Sequence, residues 1–162
     1  MEQKVHLNQM LTAIKDSKID ITSEKSTREL AENLTSYFIG GEYVFLYGEM
    51  GVGKTTFVKY LVNKFQIDQK LELTEVSSPT FNLLNEYKTN YFTIKHYDLF
   101  RIKNSSEIKD LDIFEKNEKI ITLVEWPKLL KIKSKAKSID LIFTYENDLK
   151  NRTIEIKGLN SI

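Results

Sequence analysis

Gly48-Glu49-Met50-Gly51-Val52-Gly53-Lys54-Thr55 fits the pattern G-x-x-x-x-G-K-[ST], and five of the chain's six glycines fall between Gly40 and Gly53. Glycines at this spacing let successive backbone N–H groups turn inward around an anion, where a Cβ would obstruct the ligand or the dihedrals. A lysine after the last glycine reaches the β- and γ-phosphates, and the adjoining hydroxyl is a ligand type suited to Mg²⁺. A helix starting there adds the positive end of its dipole. The stretch therefore predicts binding of a nucleoside triphosphate, with Glu49, Met50, Gly51, Val52, Gly53, Lys54, Thr55 and Thr56 forming the cradle. The alternative is a glycine-rich turn that only joins a strand to a helix.

Three further clusters carry polar groups of the right kind. Ser77-Ser78-Pro79-Thr80-Phe81 is a hydroxyl-rich segment stiffened by proline. It reads either as a switch loop centred on Ser78, Pro79 and Thr80, with Thr80 sensing the γ-phosphate or Mg²⁺, or as an ordinary turn. In His96-Tyr97-Asp98-Leu99-Phe100-Arg101, Asp98 is a candidate to orient water or a metal-bound water. Arg101 is a candidate partner for Asp98 or for transition-state charge; both also fit plain structural roles. His96 reads as a hydrogen-bonded strand histidine rather than a ligand. Glu125 follows the apolar run Ile120–Val124, where a strand-tip carboxylate is a usual second handle on Mg²⁺, or else a solvent-facing acid. Trp126 is either a core anchor or a lid beside the nucleotide. The guanine-reading N-K-x-D pattern is absent.

The elements that must position these groups follow from periodicity. Tyr43–Tyr47 is an apolar strand feeding the glycine loop, and Val58, Leu61, Val62 and Phe65 recur at helical spacing behind it. Ser26-Thr27-Arg28-Glu29 has capping-box spacing ahead of a helix face of Leu30, Ala31, Leu34, Tyr37 and Phe38, and Gly40-Gly41 is the expected stop. Residues 81–88 and 91–97, split by Thr89-Asn90, predict a hairpin. Ile108, Leu111 and Phe114 predict a helix over 105–117. Residues 120–124 suit a doubly covered central strand, 139–145 another strand, and 153–157 a half-exposed edge strand. The expected fold is a single α/β domain of the P-loop NTPase kind. Its central sheet is mixed but mostly parallel, with a β-hairpin and helices on both faces. The domain spans 23–162, after an N-terminal extension (1–22), a short helix or mobile piece, without a motif.

Composition excludes several classes. No cysteine is present, so disulfides and thiolate metal sites are ruled out, and His6 and His96 stand too far apart in sequence to suggest a zinc site. No eighteen apolar residues run together, and the N-terminus lacks a signal-type stretch, which predicts a cytoplasmic protein with no membrane partner. The net charge of +1, from 24 Lys+Arg against 23 Asp+Glu, gives no global pull toward nucleic acid. Lys128, Lys131, Lys133, Lys135 and Lys137 form a local basic run, read as a solvated loop or as a patch for RNA or an acidic surface.

Taken in order, Gly48 to Thr56, Ser78-Pro79-Thr80-Phe81, His96 to Arg101 and Val124-Glu125-Trp126-Pro127 resemble the TsaE family (formerly YjeE/YdiB). Its pattern is G-[ED]-x-G-x-G-K-T-T, S-P-T-[FY], H-x-D-[LI]-[YF]-R and V-E-W-[PA], and the likeness covers roughly residues 24–157. The resemblance implies an ATP- and Mg²⁺-dependent ATPase subunit of the bacterial machinery that makes threonylcarbamoyladenosine in tRNA. Such a subunit joins the TsaD–TsaB heterodimer and meets tRNA indirectly, through that complex. It hydrolyses ATP as a partner-activated switch and does not transfer the threonylcarbamoyl group. By the same resemblance Lys54 would bind phosphate, Thr55 and Glu125 would ligate Mg²⁺, Asp98 would act near the hydrolytic water, and Thr80 would belong to the switch loop. Lys54, Asp98 and Glu125 are thus the catalytic candidates. Lys25, at the start of the first helix, is a candidate contact on the base side. A small-metabolite phosphotransferase and a non-catalytic nucleotide sensor are the alternatives from other classes.

Overall fold

In the computed structural model, residues 18–131 and 137–159 are described. A two-residue strand, β1 (Ile19–Asp20), leads into helix α1 (Glu24–Leu34). The helix is capped by Ser23, whose hydroxyl accepts from the Ser26 N–H at 3.0 Å. The cap therefore lies three residues before the Ser26 read from the sequence; a Ser N-cap of this kind contributes about 1 kcal/mol. Helix α1 ends at Leu34 and passes through a 3-10 turn, Thr35–Tyr37. Gly40 and Gly41 instead shape the entry to β2 (Tyr43–Tyr47), both with positive φ. Helix α2 (Lys54–Asp68) follows the glycine loop, and the predicted hairpin forms from β3 (Leu84–Lys88) and β4 (Thr93–Asp98).

The helix expected over 105–117 is much shorter. Helix α3 (Ser105–Ile108) starts with a capping box between Asn104 and Glu107, tightens into a 3-10 turn at Lys109–Leu111, and stops where Asp112 turns left-handed at φ 48°. A left-handed residue cannot continue a right-handed helix. Strands β5 (Ile120–Glu125), β6 (Ser138–Glu146) and β7 (Asn151–Lys157) complete the seven-stranded sheet, in the order β1-β7-β6-β2-β5-β4-β3.

The four central strands β6-β2-β5-β4 are parallel, while the hairpin β3–β4 and the pairs β6–β7 and β1–β7 are antiparallel. Strand β7 is not an edge along its full length: Ile19 and Asp20 pair with Ile154 and Thr153. Ile21 is buried in the core. Residues 18–22 thus belong to the folded unit rather than to an extension; residues 1–17 lie outside the described part, as do Lys133 and Lys135 of the basic run.

Alternation along the central strands divides the core in two. Val44, Leu46, Ile121 and Leu123 face α1 and α2, where Leu30, Leu34, Phe57, Val58, Leu61 and Val62 are buried. Phe45, Tyr97 and Val124 face the other way, under Leu99, Ile102, Ile108, Ile113 and Leu130. Both faces are covered, but both long helices lie on one; the other carries α3, the Lys109–Leu111 turn and a 3-10 turn at Pro127–Leu129. Among the described residues no helix is long and apolar enough to cross a membrane.

Candidate nucleotide-binding site

The parallel strand β2 delivers the chain to the sheet's C-terminal end, and α2 leaves from it; the glycine loop bridges the two. Gly48 has φ 143° and lies so close to β6 that a Cβ there would stand 2.8 Å from the Phe143 carbonyl oxygen. Gly53 is the residue before the first turn of α2, at φ 112°, a conformation open chiefly to glycine. Val52 is buried beneath the loop against Gly48, so it shapes the cradle from below rather than lining it.

The Lys54 ammonium is folded back on the loop, donating to the carbonyls of Gly48 at 2.7 Å and Glu49 at 2.8 Å. It also lies 4.3 Å from the centroid of the Trp126 ring. Burial pushes the Lys54 ammonium below its ordinary range, while Glu125 and Asp98 pull it back up. An ammonium so held is poised for a stronger anion than two carbonyl dipoles.

Strand register supplies the acids. Leu46 on β2 stands opposite Glu125 on β5, and Glu125 opposite Asp98 on β4, so one row across the strand tips carries both carboxylates. Both are buried, as is Lys54. The solvent-facing alternative for Glu125 therefore falls away. Glu125 Oε1 accepts from the Thr55 hydroxyl at 2.9 Å and lies 2.9 Å from His96 Nε2. His96 is fully buried two residues before Asp98 on the same face of β4, and its Nδ1 has no hydrogen-bond partner.

Asp98 is tied to the proline segment. Its Oδ2 accepts from the hydroxyls of Ser78 and, at 3.1 Å, Thr80, and its Oδ1 accepts from the Phe100 N–H at 2.9 Å. Pro79 is buried, and its carbonyl accepts from the Leu83 N–H at 2.7 Å. The segment is thus a turn whose hydroxyls are anchored on a site carboxylate.

A cavity of about 270 Å³ joins these groups: Met50, Gly51, Gly53, Lys54, Thr55, Thr56, Ser78, Thr80, Asp98, Phe100, Glu125 and Trp126 line it. Glu49 takes part through its carbonyl. Lys25 is not among the lining residues; its exposed ammonium stands 3.7 Å from Glu29. Arg101 does not pair with Asp98: its guanidinium lies 5.0 Å from the Phe81 ring centroid. Trp126, left-handed at φ 57° and packed on Phe100 at 4.9 Å, covers Lys54 at the cavity wall and also packs, half-buried, against the core on its side of the sheet.

Sequence reasoning did not assign the contact of His96 with Glu125, or Phe100 as a wall. The signal for the first is the i, i+2 spacing of His96 and Asp98, which puts both on one strand face.

The TsaE family model, described as threonylcarbamoyl adenosine biosynthesis protein TsaE, matches residues 21–154. The chain is 38% identical over 111 residues to the tRNA threonylcarbamoyladenosine biosynthesis protein TsaE of Rickettsia felis, covering 68% of this chain and 63% of that one, under two thirds of the relative's length. It is 37% identical over 116 residues to the protein of the same description from Rickettsia bellii, covering 72% and 78%. The Bacillus subtilis protein so described is 26% identical over 135 residues, covering 83% and 82%. In fold, the chain is similar to the crystal structure of Bacillus subtilis YdiB, with a TM-score of 0.67 at 23% identity, covering 91% and 89%. With a family model spanning most of the sequence and the family's four motifs gathered around one cavity, the chain belongs to the TsaE family.

Proposed function

We propose that this protein is a Mg²⁺-dependent ATPase subunit of the tRNA threonylcarbamoyladenosine machinery, working as a switch activated by TsaD and TsaB and not as the transferase. The observation that carries the reading is the convergence of Lys54, Thr55 and Glu125 at the mouth of a glycine loop, with Asp98 one strand further on.

The donor set fits magnesium. Thr55 and Glu125 offer hard oxygens 2.9 Å apart, and no group of three or more acidic, His or Cys side chains suited to a metal occurs among the described residues. A Mg²⁺ ion is commonly held by one or two protein oxygens together with the substrate phosphates and water. When bound there it would neutralise phosphate charge. Lys54 would exchange its two carbonyl partners for phosphate oxygens, and the amides of the loop and of the first turn of α2 would hold the rest of the chain. Asp98 would orient the attacking water. Its carboxylate is shared with Ser78 and Thr80, so the water position is coupled to the turn that carries those hydroxyls.

Of the chain's three arginines, Arg28 bonds Glu32, Arg101 lies over Phe81, and Arg152 bonds the Thr22 carbonyl. None is among the lining residues, so this chain does not bring its own arginine finger to the cavity. An absent finger leaves hydrolysis slow, by factors of about 10³ or more in nucleotide switches. The reading is tested by ATP hydrolysis of the wild type and of Lys54→Ala and Glu125→Ala, alone and with TsaD and TsaB added. Slow turnover alone, stimulation by the partners and loss in both variants are expected. Full activity in either variant rejects the assignment.

A further inference from the structure

We infer that the end of the sheet opposite the glycine loop carries a second binding site, one for a small aromatic anion. Its floor is Tyr43 and Phe45, its side wall is Phe114, and Lys116, Lys131 and Lys137 rim a cavity of about 630 Å³. None of these residues lines the cavity at the glycine loop, so the inference stands apart from the proposed function.

The cavity exists because the fold leaves part of one strand face without a helix. Strand β2 lies between β5 and β6, and the connection from β5 to β6 carries only the 3-10 turn Pro127–Leu129 among its described residues. Helix α3 stops at Ile108, and no helical residue is among the described residues lining the cavity. Tyr43 and Phe45, two apart on β2, project to this uncovered face. Their rings are nearly parallel, 9° apart in plane with centroids at 6.2 Å. About 16 Å of extended strand separates Tyr43 from Gly48.

The walls are fixed by contacts of their own. Gly40 packs so tightly on the Glu118 carbonyl that no side chain fits between them, and the Gly41 N–H donates to the Ile120 carbonyl at 2.7 Å. The buried Glu42 carboxylate accepts from the N–H groups of Ile39 at 3.0 Å and Gly40 at 2.8 Å. The Tyr43 hydroxyl donates to the Glu115 carbonyl at 3.1 Å, and the Phe114 ring leans on the Tyr43 ring at 5.9 Å. A preformed, mostly apolar cavity of this size with a few polar groups at its edge suits a small molecule.

Charge names the class of that molecule. Among the described lining residues the three lysines face a single acid, Glu118. None of the three ammonium groups has an ion-pair partner among the described residues. Glu115, next to Lys116 in sequence, is held by Lys95 at 2.9 Å. Lys137 reaches over Gly41, where a Cβ would stand 3.8 Å from its Nζ. Lysines that only cover apolar surface with their stems would leave the cavity indifferent to ligand charge. Three unpaired cations against one carboxylate favour an anion, and the rings of floor and wall favour an aromatic body.

The test is fluorescence titration of the full chain with two probes that share a ring system, anilinonaphthalene sulfonate and the uncharged phenylnaphthylamine. Saturable one-to-one binding of the sulfonate is expected, about ten-fold or more tighter than the uncharged probe, which is about 1.4 kcal/mol. Lys131→Gln and Lys137→Gln should each weaken the sulfonate by about three-fold or more and leave the uncharged probe within about two-fold of wild type. Phe114→Ala should weaken both probes. Saturating magnesium-ATP should leave the sulfonate curve in place, since the two cavities share no lining residue. Equal affinity for the two probes, lysine variants that match the wild type, displacement by ATP, or absence of saturable binding overturns the site. Lys131 is exposed, so its variant decides the matter if Phe114→Ala does not fold.

Discussion

Glu125 Oε1 receives the Thr55 hydroxyl and faces His96 Nε2 at the same distance, 2.9 Å. Two neighbours on one oxygen fix the carboxylate plane, which leaves Oε2 to serve the cavity. Pairing Nε2–H with Glu125 leaves Nδ1 buried without a partner, a cost of about 1–3 kcal/mol that a leucine would avoid. Retaining a histidine there makes sense if it aims the acid. Removing such a partner from a metal-binding carboxylate typically costs about 10- to 100-fold in metal affinity. His96→Leu should therefore raise, by that factor, the magnesium needed for half-maximal ATP binding without lowering the melting temperature. His96→Gln, which restores a donor, should recover part of it. An unchanged magnesium requirement in His96→Leu would leave His96 as core packing only. Lys54 gives a second residue-level prediction. Its ammonium titrates below the ordinary 10.5 because burial disfavours the charge. Between the folded and unfolded values the unfolded chain binds more protons, so stability rises with pH there, and the penalty is fully present below the folded value. Urea denaturation should show the unliganded wild type gaining more stability than Lys54→Met as pH approaches 10.5. Parallel profiles would contradict this.

At the scale of elements, the site depends on how closely β2 and the glycine loop approach β6. An alanine at Gly48 would meet the Phe143 carbonyl oxygen at 2.8 Å and its Cβ at 2.9 Å. Gly48→Ala should therefore lower stability by about 1–3 kcal/mol and weaken ATP binding with it, read by denaturation and titration of the same samples. A neutral outcome would mean that the loop can move away from β6 at no cost. Strands β2 and β5 and helix α2 were legible in the sequence because each repeats a strong pattern: an apolar run bounded by turn residues, or buried positions at i, i+3, i+4 and i+7. Glu125 was legible for the same reason, since the end of a buried run marks a strand tip. Helix α3 was not. Ile108 and Phe114 suggest a continuous face, but Asp112 turns left-handed between them, and Phe114 packs on Tyr43 at 5.9 Å from outside the helix. Strand β1 escaped because two residues carry no periodicity; it exists only through its pairing with β7. The contact between His96 and Glu125 joins two strands through register, which a single sequence does not reveal.

At the scale of the whole molecule, the fold gathers a glycine loop, an acid row and a tethered turn at one end of a parallel sheet. Met50 and Phe81 are largely exposed at this end, with 65% and 84% of their surface open, and Phe100 is 46% open beside Trp126. Under the proposed function, TsaD and TsaB would act here, supplying what the chain's own arginines do not. Any such switching begins with nucleotide capture. Titration of magnesium and ATP into the wild type and into Lys54→Ala tests it most directly. The prediction is saturable one-to-one binding by the wild type, dependent on magnesium and weakened by about ten-fold or more in a Lys54→Ala variant that remains folded. Absence of heat and of thermal stabilisation with the wild type, or equal binding by the two proteins, would contradict it.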